Sequence, residues 1–471
     1  VLLRRQWQDN ERLVFPLTAL PLALIRDELD GQPFLRNRVM WMGFFFVAII
    51  YTINGIHVNY PAFPEITLRY NISALLTTPP WNQMDYLLVF VTFAAIGFAY
   101  LLPNDLLFSL WFCFLFTRIE DVIMVLMGGT PTSIGSHNAR VLTGYQAAGA
   151  YFVLIGSYLV LGRHYFADVW RTAFTRNKTL DDSTEILPYR TAILGVIGGF
   201  AGIVAWLTIA GMSPWLAASI MGIYIFFISI VMTRAVNEAG LLMTETSFLP
   251  THLIQLASPV TNWGAQNITL TAVVNCAFVR DTRGLLLTPL MDAQKLAGEL
   301  KVRNRSLLAP FIIAAVIAFV VASIAFLHSA YTVGMLNEYE YPDRNAGDLY
   351  RQAVAAITGL ARPADNVARG GLALGIVVTL ALVRLRTLFP WFPLHPLAYA
   401  IAPTYAMLVL WFPCLIAWII KTPIMRYGGV VLYRRVRPFM IGMILGEFTM
   451  AMIWAVLTTK AFGLTAPDFP Y

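Results

Sequence analysis

Apolar runs that read as membrane spans recur along this chain, at residues 39–56, 86–102, 141–161, 191–212, 214–233, 307–327, 370–383, 395–420 and 439–457, most of them long enough to cross a bilayer unaided. A tenth follows the turn Pro103-Asn104-Asp105. It starts as LLFSLWFCFLF, takes up Arg118, Glu120 and Asp121, and resumes as VIMVLMGG. A hydrocarbon core about 30 Å thick needs a helix of roughly 20 apolar residues. The pattern therefore predicts an all-α, polytopic integral membrane helical bundle of about 10 transmembrane helices, with broken or re-entrant segments besides.

Between these runs the polar positions are uneven. Residues 13–25 are apolar but too short to span, and Pro16 and Pro21 interrupt them, which suits an interfacial or re-entrant segment. Residues 57–85 are rich in Pro and Tyr and read as an ordered external loop, while 163–190 form a basic link. Residues 283–305 have the alternation of a basic amphipathic helix lying at the interface, and 348–360 have helical periodicity. Gly195, Gly198, Gly199, Gly202 and Gly211 share one run, where small residues let helices approach closely. These boundaries predict a single membrane domain over residues 1–471: an interfacial segment 1–38, spans in 39–233, a broken central part 234–306 and further spans in 307–471. The chain opens on Val1, and the expectation is that an upstream N-terminal portion precedes it.

The stretch 234–281 departs most from the pattern. It follows a good span, yet Arg234, Asn237, Glu238, Thr244, Glu245, His252, Asn262, Trp263, Asn267 and Asn275 are spaced through it, with breakers Gly240, Pro250, Pro259 and Gly264. Polar, irregular backbone survives at membrane depth only where protein buries it or water reaches it, and broken helices supply the substrate and ion sites of many secondary transporters. Half-helices meeting inside the protein around residues 259–264 are the expectation; a cytosolic loop with short surface helices is the alternative. Two other charged positions stand inside apolar runs. Arg118 and Asp121, at i,i+3, share a helix face and can neutralise one another, with Glu120 beside them. Glu447 lies near the middle of 439–457 and reads either as a carboxylate that exchanges protons or as a hydrogen-bonded clamp beside Gly442 and Gly446.

Composition narrows the class. The chain is 58% hydrophobic and 13% charged, against roughly 25% charged residues in soluble domains. The net charge of +7 sits mainly in short segments between spans, where it orients them and meets anionic lipid, and it does not point to nucleic acid. Placing Arg36 and Arg38 in the cytoplasm leaves the five basic residues of 421–437 outside. That conflict marks either the central stretch or 389–413 as wrongly divided. Cys113, Cys276 and Cys414 are scattered among apolar residues and specify neither a disulfide framework nor a zinc site. No GxxxxGK[ST], HExxH or GxSxG occurs, and the six histidines never pair at i,i+4, so no ATP site, metal, cofactor or catalytic residue is specified. His395, between Pro393 and Pro396, reads as a turn histidine, and His252 as the better functional candidate.

Two segments carry a resemblance. RRQWQDNERLVFPLTALPL near the start and FPLHPLAYAIAPTYAMLVLWFPCLIAWIIKTPIMRYGGVVLYRRVRPFMIGMILGEF near the end resemble a family of prokaryotic polytopic membrane proteins named for a domain of unknown function. The resemblance implies a fold-level kinship and a prokaryotic inner (cytoplasmic) membrane. The chain is also faintly similar to oligopeptide transporters, although their Asn-Pro-Gly motif has no counterpart here.

From these observations the expected function is that of a secondary transporter or permease for a small polar or anionic solute, coupled to protons. Arg234 would face an anionic group. Glu238, Glu245 and Glu447 would carry protons or pair with cations, and Asn237, His252, Asn262, Asn267 and Asn275 would complete the solute site. Arg118, Glu120 and Asp121 would supply coupling or structural charge. The expected partners are the lipid bilayer, the solute or ion, and other membrane subunits or a second copy. A non-transporting scaffold subunit and an integral-membrane enzyme acting on a lipid-linked substrate are the alternatives.

Overall fold

The structure is a computed structural model, and it describes residues 1–84, 87–129, 132–134, 139–175, 180–243, 245–280, 282–334, 341–360, 366–458 and 464–469. Thr244, His137 and Asp281 lie outside the described residues. In chain order the helices are α1 (Ala19–Arg26), α2 (Arg38–Asn59), α3 (Phe93–Leu101), α4 (Asn104–Leu126), α5 (Val141–Leu161), α6 (Arg163–Phe174), α7 (Tyr189–Ile209), α8 (Pro214–Ile223), α9 (Ser229–Ala239), α10 (Pro250–Ala257), α11 (Ala265–Val274), α12 (Leu287–Glu299), α13 (Leu308–Ser329), α14 (Tyr341–Ile357), α15 (Asn366–Leu388), α16 (Pro396–Ile401), α17 (Tyr405–Pro423) and α18 (Gly429–Leu457). Two short hairpins are the sheet content among the described residues: β1 (Glu28–Leu29) with β2 (Gln32–Pro33), and β3 (Arg69–Asn71) with β4 (Leu88–Phe90). Among the described residues seven helical stretches are long and apolar enough to cross a membrane, including 38–59, 189–209 and 304–332. The protein is an all-α bundle of the polytopic membrane type.

The chain divides into two compact units. One comprises Val1–Leu13, Leu154–Thr233 and Phe248–Gly370; the other comprises Val14–Val153, Arg234–Ser247 and Gly371–Tyr471.

In the second unit α2 and α18 form the most extensive helix pair. Glycine makes their approach possible: a Cβ on Gly43 would overlap the Phe439 carbonyl, and one on Gly442 would overlap that of Met40. The close contact expected at Gly442 and Gly446 is therefore present, with α2 as the neighbour. The glycines of α7 behave otherwise. Among the described residues, side chains at Gly195, Gly198, Gly199 and Gly202 would meet nothing within 4 Å, so that face is open; of the glycines in this run only Gly211, past the helix end, has a close neighbour there, the Gln266 side chain.

Three sequence boundaries are revised. Residues 86–102 do not form one span: β4 pairs with β3, and only the 9 residues of α3 are helical, about 13 Å of rise. The run 395–420 divides into α16 and α17, because Pro403 cannot continue the ladder and Thr404 Oγ1 accepts the Met407 N–H at 3.3 Å to start a new helix. Residues 421–437 are almost wholly helical, and Lys421 is buried within the last turn of α17.

In the first unit α8, α10, α11 and α14 enclose an apolar core of Leu216, Ile220, Ile254, Ile268 and Leu349. The helical periodicity read at 348–360 belongs to α14, and the amphipathic helix read at 283–305 is α12.

Candidate functional site

The last two turns of α9 place Arg234, Asn237 and Glu238 together, and Gly240, at φ +60°, ends the helix as glycine readily can. Arg234 Nε donates to Glu238 Oε2 at 2.8 Å, an i,i+4 pair. The other carboxylate oxygen lies 3.1 Å from Nε2 of His395. His395 is the N-cap of α16, and its Nδ1 accepts the Leu397 N–H at 3.3 Å. In the neutral ring the proton is therefore on Nε2, facing Glu238. The His395 N–H donates to Ser109 Oγ at 2.8 Å, and this hydroxyl lies 2.7 Å from the Pro393 carbonyl. Glu238 and His395 side chains retain 15% and 17% exposure, so solvent touches the edge of the pair.

Asn237 is fully buried, and its amide nitrogen and oxygen both lack a hydrogen-bond partner among the described residues. A buried amide left without a partner costs about 1–3 kcal/mol, and such a group in a native structure calls for an explanation, a functional role or a bound water or ion among them.

A second polar group sits deeper on α4. Arg118 Nη1 and Asp121 Oδ2 are 3.5 Å apart with both side chains 1% exposed, the i,i+3 pair expected from sequence. Arg140 Nε adds a second cation at 3.7 Å from the same oxygen. Glu120 points elsewhere, its Oε1 accepting from Gln146 Nε2 at 3.4 Å, while Tyr399 donates to Gln146 Oε1 at 3.2 Å. The buried helix α16 thus holds the Glu238 cluster at its N-cap and the Glu120 chain at Tyr399.

Glu447 and Lys421 form a matched pair of ends. Glu447 Oε2 accepts the Ala94 N–H at 2.8 Å, and the Phe93 amide and Tyr51 hydroxyl also act on its carboxyl. Lys421 Nζ donates to the Leu102 carbonyl, just past the other end of α3. A short helix presents a partial positive charge at its first turn and a partial negative charge at its last. The Glu447 carboxyl at the first and the Lys421 ammonium at the last bond backbone groups at the two ends of α3.

Of the remaining expected site residues, Glu245 belongs to the second unit and His252, Asn262, Asn267 and Asn275 to the first. Glu245 is buried in the loop after α9. In the first unit His252 Nδ1 accepts the Leu249 N–H at 3.1 Å at the start of α10. Burial, and then the Arg280 guanidinium, push the His252 pKa down to about 4. Arg280 in turn faces Asp348 at 3.6 Å. Asn275 is buried, and its Oδ1 lacks a partner among the described residues. Asn267 is committed to structure, bonding Ser213 N, Ser213 Oγ and the Trp263 carbonyl at 2.8–2.9 Å. The half-helices α10 and α11 meet around 259–264 as expected, but Pro259, Thr261, Asn262 and Gly264 are exposed, so among the described residues the meeting point is not enclosed. Ser109, Arg140, Gln146, Tyr399 and Lys421 are partners that the sequence left unmarked as site residues, and His395, read as a turn histidine, is one as well. Lys421, a lone cation in IAWIIKTPIM, and His395, between two prolines, carried some signal. Among the described residues no group of three or more His, Cys, Asp or Glu side chains is placed to hold a metal.

Fold and site together define a polytopic α-helical membrane protein that keeps paired charge within its helix bundle. The chain belongs to the family described as "Family of unknown function (DUF6785)", which it matches over residues 1–465. No curated protein and no solved structure matches it.

Proposed function

We propose that this protein is a proton-coupled secondary transporter of a small polar or anionic solute, acting in a prokaryotic inner membrane. The observation that carries the proposal is the buried amide of Asn237, without a hydrogen-bond partner among the described residues, beside the Arg234–Glu238–His395 cluster. An amide offers a donor and an acceptor to a solute, and Arg234 offers it a cation. Glu238 holds both Arg234 and His395, so protonating Glu238 would release the guanidinium for an anionic group, and losing the proton would recapture it. Binding and proton movement would then be linked through one carboxylate. Glu447 serves here as the clamp of α3 and not as the proton carrier. α13, whose most apolar window has no buried residue, supports the second reading, a scaffold subunit with a partner or second copy against that helix.

Proteoliposomes with a trapped pH dye and a panel of small anions test the first reading. The wild type should acidify on addition of a transported solute, and Glu238→Gln should lose the proton signal while keeping its fold. Asn237→Ala should weaken apparent affinity by about tenfold, the equivalent of 1–2 kcal/mol. If the wild type moves no solute, or Glu238→Gln retains proton flux, the transporter reading of this site fails.

A further inference from the structure

In the first unit the chain builds a second polar feature that the transport site does not use. A cleft of about 410 Å³ is lined by Ser183, Thr184, Lys301, Arg303, Asn304 and Arg305. Among the described residues none of these three cations is in an ion pair. The neighbouring acids are engaged: Asp181 accepts the Ser183 N–H and hydroxyl, both at 2.9 Å, Glu185 is buried against Arg4 and Arg5, and Glu299 pairs with Lys295. Half-buried Asp182 has a partner of its own. Thr184 Oγ1 accepts from Arg5 at 3.0 Å, which leaves its own proton to donate. Lys301 stands at φ +57° just past the end of α12, where Val302 N–H bonds the Ala297 carbonyl at 2.8 Å. That is the position where helices place glycine; here it holds a lysine at the cleft.

The place of the cleft in the chain decides what would occupy it. Thr184 is followed at Tyr189 by α7, and Arg305 at Leu308 by α13, both apolar enough to cross a membrane. Asn304 Nδ2 donates to the Thr184 carbonyl at 3.0 Å and ties the two entry points together. Where two spans enter, the level is that of the lipid headgroups, and both helices continue with apolar side chains almost wholly exposed.

We propose that this cleft binds a phosphate-bearing anion, supplied by the headgroup of an anionic phospholipid whose acyl chains lie along α7 and α13. The cations and Thr184 hydroxyl address the phosphate oxygens; the exposed helices take the tails.

The test uses the full chain in mixed-lipid nanodiscs with spin-labelled phosphatidylglycerol or phosphatidylcholine. The wild type should favour phosphatidylglycerol, by about fivefold per engaged cation at low salt, with the preference shrinking as salt rises. Lys301→Gln/Arg303→Gln/Arg305→Gln should remove the preference. Lys301→Gly suits the local backbone and should fold at least as well as wild type, so a reduced preference in it reports lost charge and not lost structure. Equal association of the two lipids with the wild type, or an unchanged preference in both variants, overturns the site. Inorganic phosphate binding to the detergent-solubilised protein, displacing phosphatidylglycerol and sensitive to the same variants, would assign the cleft to a free phosphate and overturn the lipid.

Discussion

At residues 258–264 and again at 389–404 the chain interrupts its helices at proline, and the two interruptions treat their polar groups differently. Around Pro259 the chain is exposed. Trp263 Nε1 bonds Ser258 Oγ at 3.2 Å, and Asn267 spends its amide on Ser213 and Trp263. At α16 every helical residue is buried, and the groups at its N-cap and at Tyr399 reach Glu238, Ser109 and Gln146. The first break satisfies itself with near neighbours and solvent. The second is satisfied by charge and hydroxyl groups brought from α4, α5 and α9. A broken helix is a candidate binding element when tertiary partners carry polar groups to it, and the number of polar residues in the break is a poor guide.

The largest effect that sharpens this contrast is expected at Arg118. Leaving a buried charge without its partner costs about 3–5 kcal/mol. Arg118→Ala should therefore lower the yield and melting temperature of the detergent-purified protein. Adding Asp121→Asn should recover part of the loss, limited because Asp121 also faces Arg140. An unchanged melting temperature in the single variant would remove the ion pair from the description of the buried region.

Acid should act next, and on the other region. The folded-state pKa of His252 lies at about 4, below its ordinary 6.5, so the stability that neutral His252 contributes is complete above pH 6.5 and is lost as pH falls toward 4. Between pH 7.5 and pH 4.5 the loss comes to about 2–3 kcal/mol. After correction for intrinsic exchange, amide protection at 251–257 should fall on that shift, and His252→Gln should flatten the dependence. Equal dependence in wild type and variant would mean another group governs α10.

The smallest effects separate the two asparagines at the surface break. Asn267→Ala removes three hydrogen bonds and should destabilise by about 1–3 kcal/mol. Asn262→Ala, at an exposed position, should stay within about 0.5 kcal/mol. A loss of solute affinity in Asn262→Ala with unchanged stability would return the 259–264 break to the binding site.

Much of the architecture was legible in order along the chain. Periodicity and hydropathy are local properties, so the spans at α2, α5, α7, α13, α15 and α18, the amphipathic α12 and the i,i+3 pair of Arg118 and Asp121 could be read without neighbours. The same locality made 86–102 look like one span, since strand pairing between 69–71 and 88–90 is not encoded in either segment alone. It also drew attention to Asn262 and Asn267, whose polarity is visible while their exposure and partners are not. Arg234 and Glu238 stood out as charges in an apolar helix, but His395, 157 residues past Glu238, had only two flanking prolines to mark it. Sequence determined which segments are helical and where charge enters apolar surroundings, because both follow from residues a few positions apart. Packing of distant segments alone brings Glu447 and Lys421 to the two ends of α3, leaves the Asn237 amide without a partner among the described residues, and sets His395 against Glu238. Burial and hydrogen-bond partnership depend on which distant segments pack together.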